Sequence, residues 1–402
     1  MTLPLLRAPH RPLFLAGMLS LAAATLWWAL EVLGRYAQLF VAPSPALPPL
    51  FAHSGLMLYA FFPSFMAGFL YTAGPRWLDT PAISQPVYVA TAGLFLTGSV
   101  LFIAGLYSGQ TMLILATVVL ALAWLLLWAT VLRMLVAADQ LVSHAVAIAI
   151  ALGVGCAGLV IFGLGILRND GIMLHLAVRV GLWGALVPVF YTVCHRMLPF
   201  FAQSVVAGYR VVRPLSLLVA VLALCYLRLA AGVLGWLEPL LVLDAALCVV
   251  TLLGGLAWQP WKARSPALLA TLFVAYFWLP AALLLQSVRD LGFVLTGEWW
   301  LGRAAIHALG IGLMTGLLIA MVTRVTLGHS GRPLVMSRGI LGCFVLVQTS
   351  ALTRVAAEIA GPGVHYASML TLSLALWLAG VLTWAVLLIP IYLRPRVDGR
   401  PG

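Results

Sequence analysis

Four histidines of this 402-residue chain stand at or near the start of apolar stretches, where an imidazole could ligate haem iron or copper. They are His53, His175, His307 and His365. The first three have a chemically useful residue four positions away, a spacing that puts two helical side chains on one face. The pairs are His53 with Met57, His175 with Arg179 and His307 with Arg303. Imidazole and thioether groups are metal ligands, and arginines suit anionic groups such as haem propionates.

Charged residues also occur inside the apolar stretches, where an ionised group is costly unless it is paired or functional. Arg354 and Glu358 are four residues apart and are expected to neutralise each other, whereas Arg228 and Asp244 lie in different stretches. The simplest alternative for each histidine is a hydrogen bond that holds neighbouring helices together. The residues alone leave both interpretations open.

The elements that must position these residues follow from composition. The chain is 64% hydrophobic and 8% charged, and its apolar stretches repeatedly exceed the roughly 18 residues needed to cross a bilayer. This predicts an all-α, polytopic membrane bundle that forms a single transmembrane domain over residues 1–402. Twelve spans are expected near 13–33, 51–73, 85–107, 111–132, 141–166, 171–193, 214–234, 237–258, 266–287, 301–323, 339–359 and 366–393.

The net charge of +12 reflects membrane topology rather than nucleic-acid binding. Most of the 22 lysines and arginines lie in the terminal segments and the even-numbered loops, which places both termini in the cytoplasm by the positive-inside rule. The four histidines named first then fall in the outer half of the membrane. The charged residues inside the spans also fall in the outer half, so a polar site near the outer surface is expected.

Two details of the loops carry separate expectations. Pro199 is expected to end span 6, because proline interrupts the helical hydrogen-bond ladder. His329 is expected in a basic cytoplasmic loop with Gly328 and Gly331, as a ligand or as a group that orders the loop. The GxGxxG match at Gly153, Gly155 and Gly158 lies in an apolar span without a preceding strand and is interpreted as helix packing.

Three segments resemble the NnrS family of bacterial membrane proteins. They are MAGFLYTAGPRW from Met66 to Trp77, RMLPFF from Arg196 to Phe201 and MVTRVTLGHSGRPL from Met321 to Leu334. The resemblance implies a twelve-span protein of the bacterial inner membrane that binds haem and copper and is associated with denitrification and nitric oxide stress. It does not imply a particular reaction, so enzymatic activity stays open.

One departure from the family pattern concerns copper. Family members carry His-Ala-His-Glu-Met at the start of span 2, whereas this chain has His53, Ser54, Gly55, Leu56 and Met57. The second histidine and the acid are missing, so we expect haem b to bind and copper to be held weakly or not at all.

The resemblance and the residues together imply a haem site with His53, His175 and His307 as metal ligands and Met57 as a possible fourth. Cations for the propionates are expected among the remaining candidates, Arg179, Arg228, Arg303 and Arg354. Two rival functions remain: an accessory subunit of a respiratory haem-copper oxidase or nitric oxide reductase, and a transporter of a small solute or metal. The expected partners are the lipid bilayer and possible respiratory-chain or nitric oxide reductase subunits, with no nucleic acid.

Overall fold

The computed structural model describes residues 3–400, and within them twelve helices are long and apolar enough to cross a membrane. The predictions of an all-α fold and of twelve spans are confirmed. We number the helices as spans 1 to 12: His10–Arg35, Pro49–Leu78, Gln85–Ser108, Gln110–Ala137, Ser143–Arg168, Gly171–Val205, Leu215–Leu234, Leu237–Ala257, Ala267–Thr296, Ala304–His329, Arg338–Ala360 and Tyr366–Leu393.

Most span boundaries agree with the sequence to within a few residues, but span 6 is longer than expected. Its last α-helical segment, Val187–Val205, runs through Pro199, so the prediction that Pro199 ends the span is wrong. A proline removes one N–H from the ladder, which a helix packed among other helices tolerates when neighbouring groups satisfy the freed carbonyl. The chain instead turns at Gly208, whose φ of 66° suits glycine.

The chain divides into two compact units. Unit 1 contains the described parts of residues 1–189, 325–332 and 388–402, and unit 2 contains residues 190–324 and 333–387. Spans 6, 10 and 12 each contribute a part to both units. The expectation of a single transmembrane domain stays a prediction.

Unit 1 is built from consecutive helices packed against one another: span 1 on spans 2 and 3, span 3 on span 4, span 4 on span 5 and span 5 on span 6. At its centre lies Tyr59, whose hydroxyl donates to the Ala177 carbonyl at 2.6 Å. Glycines allow this close approach: a methyl group at Gly158 or Gly181 would lie 2.5 or 2.7 Å from the Tyr59 hydroxyl. Gly155 likewise lies against Trp124, so the GxGxxG match is a packing motif.

Unit 2 continues the same sequential packing from span 7 to span 11. Serine hydroxyls link spans 11 and 12, with Ser350 donating to the Ser373 carbonyl at 2.7 Å. Span 9 is two helices, Ala267–Tyr276 and Trp278–Thr296, joined at Phe277. Trp278 covers Gly312 of span 10 so closely that a methyl group there would overlap its indole ring. Span 10 therefore approaches span 9 along a glycine surface.

Candidate functional site

Three spans leave α-helical geometry in their predicted outer halves, and each does so just after a candidate histidine. The π-helical segments are Leu56–Phe61 in span 2, Val180–Leu186 in span 6 and Ala308–Thr315 in span 10. They follow His53, His175 and His307 respectively. A π segment replaces i→i+4 bonds with i→i+5 bonds, is rare, and occurs frequently at functional sites. No sequence pattern predicted these segments.

In unit 1, His53 and His175 lie on neighbouring short helices that contact each other, Pro49–Gly55 and Gly171–Arg179. Proline occupies the first position of one helix, where its missing N–H costs nothing. The other is capped by Asp170, whose carboxylate accepts from the Ile172 N–H at 2.8 Å. Both histidines are thus fixed near the start of a helix.

Aromatic rings surround these two imidazoles. The His53 ring stacks on Trp28 with centroids 4.2 Å apart and an interplanar angle of 24°. The Phe51 ring meets the His175 ring edge-on, with centroids 4.8 Å apart. His53 is half-buried and His175 is exposed. The structure therefore places two of the three predicted ligands on contacting helices, each imidazole against an aromatic ring.

Two further residues of this region help to define it. Arg179 is exposed one helical turn after His175, and Met57 is half-buried inside the π segment of span 2.

Gly55 takes the position of the family's second histidine and packs against Phe162 and Phe102. A methyl group on Gly55 would lie 2.7 Å from Phe162 Cζ. The missing histidine is therefore replaced by a close helix contact, and no room is left for an imidazole unless those rings move.

In unit 2, hydrogen bonds fix the orientation of His307. Its Nδ1 lies 2.9 Å from the Arg303 carbonyl oxygen, which can only accept. Nδ1 therefore carries the proton, and Nε2 carries the lone pair that a metal ligand needs. The Arg303 N–H in turn donates to Glu358 Oε2 at 2.9 Å.

Glu358 ties this corner of unit 2 together. Its other oxygen, Oε1, accepts from Arg354 at 2.5 Å and from the Tyr366 hydroxyl at 2.9 Å. The ion pair predicted between Arg354 and Glu358 is confirmed. Glu358 of span 11 thus links Tyr366 of span 12 to the Arg303 backbone, which lies at the start of the helix that carries His307.

The four arginines proposed for propionates have different surroundings. The guanidinium of Arg228 is buried and makes two hydrogen bonds with the Asp244 carboxylate, the longer at 3.1 Å. Arg354 is also buried and bound to a carboxylate. Arg179 and Arg303 are exposed. A carboxylate thus already neutralises two of the four.

The predicted residues fall in two groups. His53, Met57, His175 and Arg179 belong to unit 1, and Arg228, Arg303, His307 and Arg354 belong to unit 2. Among residues 3–400, no three histidine, cysteine, aspartate or glutamate side chains lie close enough together to hold a metal ion. An axially ligated haem needs fewer protein ligands than that.

The expectation that His329 lies in a loop is wrong, because it is the last residue of the helix Gly316–His329. Its ring lies 5.1 Å, centroid to centroid, from the ring of His10 at the start of span 1. This pair was not predicted. Residues about 320 positions apart in sequence give no local signal of their contact.

The sequence model of the family described as NnrS protein matches residues 4–396 of this chain. The chain belongs to the NnrS family. The match covers all three segments that carried the resemblance and nearly the whole described structure, so this is a multi-pass membrane protein of the NnrS type. No curated protein matches the sequence.

Proposed function

We propose that this NnrS-family protein binds haem b in the bacterial inner membrane and takes part in the response to nitric oxide during denitrification. The observation that carries the proposal is the pairing of a π segment with each of His53, His175 and His307. π segments are rare and occur frequently at functional sites. Two of these segments lie in unit 1 and one lies in unit 2, and each supports a functional role for the histidine that precedes it.

The residues present fit a haem. His53 and His175 offer imidazoles beside Trp28 and Phe51, which supply the apolar contact that a porphyrin ring needs. His307 offers Nε2 in the correct tautomer because Nδ1 is bound to the Arg303 carbonyl. Met57 is a further candidate ligand. Among the cations, Arg179 and Arg303 are exposed and therefore accessible to propionates, whereas Arg228 and Arg354 are buried against carboxylates.

A bound haem would supply an iron able to bind nitric oxide or to pass an electron. The chain's own contribution is to fix the tautomer of His307 through the Arg303 carbonyl and to supply aromatic side chains beside His53 and His175. Copper is a weaker proposal, because the aromatic packing at Gly55 replaces the second histidine of the family motif. We propose that copper is held weakly or not at all.

An optical spectrum of the purified protein, with and without nitric oxide, tests this proposal. We expect a Soret band that shifts when nitric oxide is added. The variant His307→Ala should remove or shift the band, because it deletes the imidazole whose Nε2 is presented for ligation. His53→Ala and His175→Ala should also change it.

Two histidines serve as controls for these variants. His365 is exposed at the same predicted side of the membrane, but no π segment follows it in its span. His144 lies at the opposite predicted side. His365→Ala and His144→Ala should keep the native spectrum. A native spectrum in His307→Ala would overturn the ligand assignment, and the absence of any Soret band would favour the transporter or the accessory subunit.

A further inference from the structure

Unit 1 contains a second polar cluster at its predicted cytoplasmic end, far along the spans from the candidate histidines. We call it the basic corner and define it by its members: Arg7, His10, Arg11, Arg76, His329, Arg332 and Arg396. Arg7, Arg332 and Arg396 lie close enough to Arg11 for their charges to act on it. Arg76 and Arg396 act on His329 in the same way. The proposed haem function does not use any of these residues.

Four separate parts of the chain build the basic corner. The turn after span 10 is clamped by the C-terminal segment, with Arg396 donating to the His329 carbonyl at 3.1 Å and the Val397 N–H donating to the Ser330 carbonyl at 3.1 Å. Gly331, with φ of 74°, makes the turn. The segment LGHSGRP, which the family resemblance singled out, therefore forms one side of the basic corner.

The N-terminal segment completes it through Arg11. This side chain is 1% exposed, and its Nη1 donates to the carbonyls of Pro4, Tyr392 and Arg394. Carbonyls orient a guanidinium group but do not neutralise its charge. Arg11 thus adds a full positive charge to the interior of the corner.

The charges of the basic corner do not balance. Among the described residues, Asp398 provides the one carboxylate that is hydrogen-bonded to an arginine of the basic corner. That carboxylate is taken by Arg396, whose hydrogen bonds hold the pKa of Asp398 well below its usual value. Like charges placed together without counterions destabilise a fold, and the excess attracts an anion.

Two buried polar atoms in this corner have no hydrogen-bond partner: Arg332 Nη1 and His10 Nδ1. His10 is 2% exposed. Buried donors without partners are rare and call for an explanation, one being a bound group. A metal cation between the two imidazoles would be repelled by the surrounding guanidinium groups. An oxyanion would satisfy the Arg332 donor and offset the excess charge.

We propose that the basic corner binds an oxyanion of the phosphate type, with Arg332 Nη1 as its buried contact and the N–H tautomer of His10 beside it. Arg7 and Arg76 are exposed and form the rim by which the anion enters. The phosphate can belong to an anionic phospholipid of the cytoplasmic leaflet or to a soluble phosphate. Both present the same oxygens to the arginines.

The first arm of the test uses soluble phosphate. Full-length protein is purified in detergent, depleted of lipid, and its thermal unfolding is followed in sodium phosphate and in sodium chloride of equal ionic strength. If the source is soluble, phosphate raises the unfolding temperature beyond chloride. Arg332→Gln then weakens phosphate binding by about tenfold or more, the usual effect of losing a charge-assisted hydrogen bond.

The second arm uses lipid. Protein is placed in nanodiscs of phosphatidylcholine with or without phosphatidylglycerol, and retained phospholipid is counted by native mass spectrometry after gentle detergent extraction. If the source is a headgroup, native protein retains phosphatidylglycerol and Arg332→Gln does not, while soluble phosphate has little effect on the lipid-loaded protein. Either arm supports the proposal and identifies the source.

The matched control is Arg133→Gln, which removes an exposed arginine of unit 1 at the same predicted side of the membrane. It should behave as the native protein in both arms. Because Arg332→Gln could disturb the turn, Arg76→Gln provides a second variant, at an exposed position of the corner where no hydrogen bond of the turn is removed. It should weaken binding about threefold to tenfold. The proposal is overturned if neither probe binds, or if Arg332→Gln and Arg76→Gln bind as well as Arg133→Gln.

Discussion

Two pairs of arginines, one pair in each unit, have different partners. In unit 2, Arg228 and Arg354 each meet a carboxylate, although Arg354 Nη1 has no hydrogen-bond partner, and another buried arginine of this unit, Arg324, lies over an aromatic ring. In unit 1, Arg11 donates hydrogen bonds to three main-chain carbonyls, and Arg332 has a buried nitrogen without a hydrogen-bond partner. The comparison separates arginines that complete the helix bundle from arginines that can still receive an anion. Burial of a charge is therefore not by itself a sign of a binding site.

The pairing of Arg228 with Asp244 gives the largest expected effect. Replacing Arg228 with alanine leaves Asp244, which is fully buried, without its main cation, and should lower the free energy of unfolding by about 3–5 kcal/mol. The measurement is an SDS or urea unfolding titration of the detergent-solubilised protein. The double variant Arg228→Met with Asp244→Leu should recover most of the loss, since it leaves no buried charge. Equal losses in the single and double variants would contradict the role of the pair.

The next effect concerns Glu358. Glu358→Gln keeps the shape of the side chain but removes the charge that Arg354 and the Arg303 N–H share. We expect a loss of about 1–3 kcal/mol in the same titration, the range for hydrogen bonds that involve a charged group. The matched control is Glu298→Gln, which changes an exposed glutamate of the same unit and should leave stability as it is. Equal behaviour of the two variants would mean that the network around Glu358 contributes nothing.

The smallest effect is expected for Arg332. In lipid-depleted protein without phosphate, Arg332→Met removes a cation that has excess positive charge around it. Stability should stay within about 1 kcal/mol of the native protein or rise, because no ion pair is broken. A loss as large as that of Arg228→Ala would show that Arg332 is bound within the fold, and would remove the contrast between the two units.

The sequence predicted the fold well because membrane spans depend on local apolar length. Span 12, for example, was expected at 366–393 and is found there. The misses occurred where tertiary packing overrides a local rule, as at Pro199. The sequence also predicted the ion pair of Arg354 with Glu358, since one helix turn separates them, but not that of Arg228 with Asp244, which joins two spans.

The candidate site was predicted in composition but not in shape. The histidines could be selected because polar groups are few in apolar spans. Neither the π segments nor the stacking of His53 on Trp28 could be predicted, because both depend on which side chains of other helices fill the space. The contact of His10 with His329 was missed for the same reason: the two lie at opposite ends of the chain.

The π segments have one consequence for changes in chain length. Each stretch of wide turns accommodates a surplus residue relative to a regular α-helix, in which one residue turns the chain by about 100°. Deleting a single residue between Ala308 and Thr315 would remove that surplus, so the segment would return to α-helical turns while His307 kept nearly the same direction relative to the cytoplasmic half of its span. The side chains within the segment would lose the displaced positions that the wide turns give them. In these three spans the extra residue therefore changes the helix surface locally, beside the histidine, and leaves the rest of the span in place.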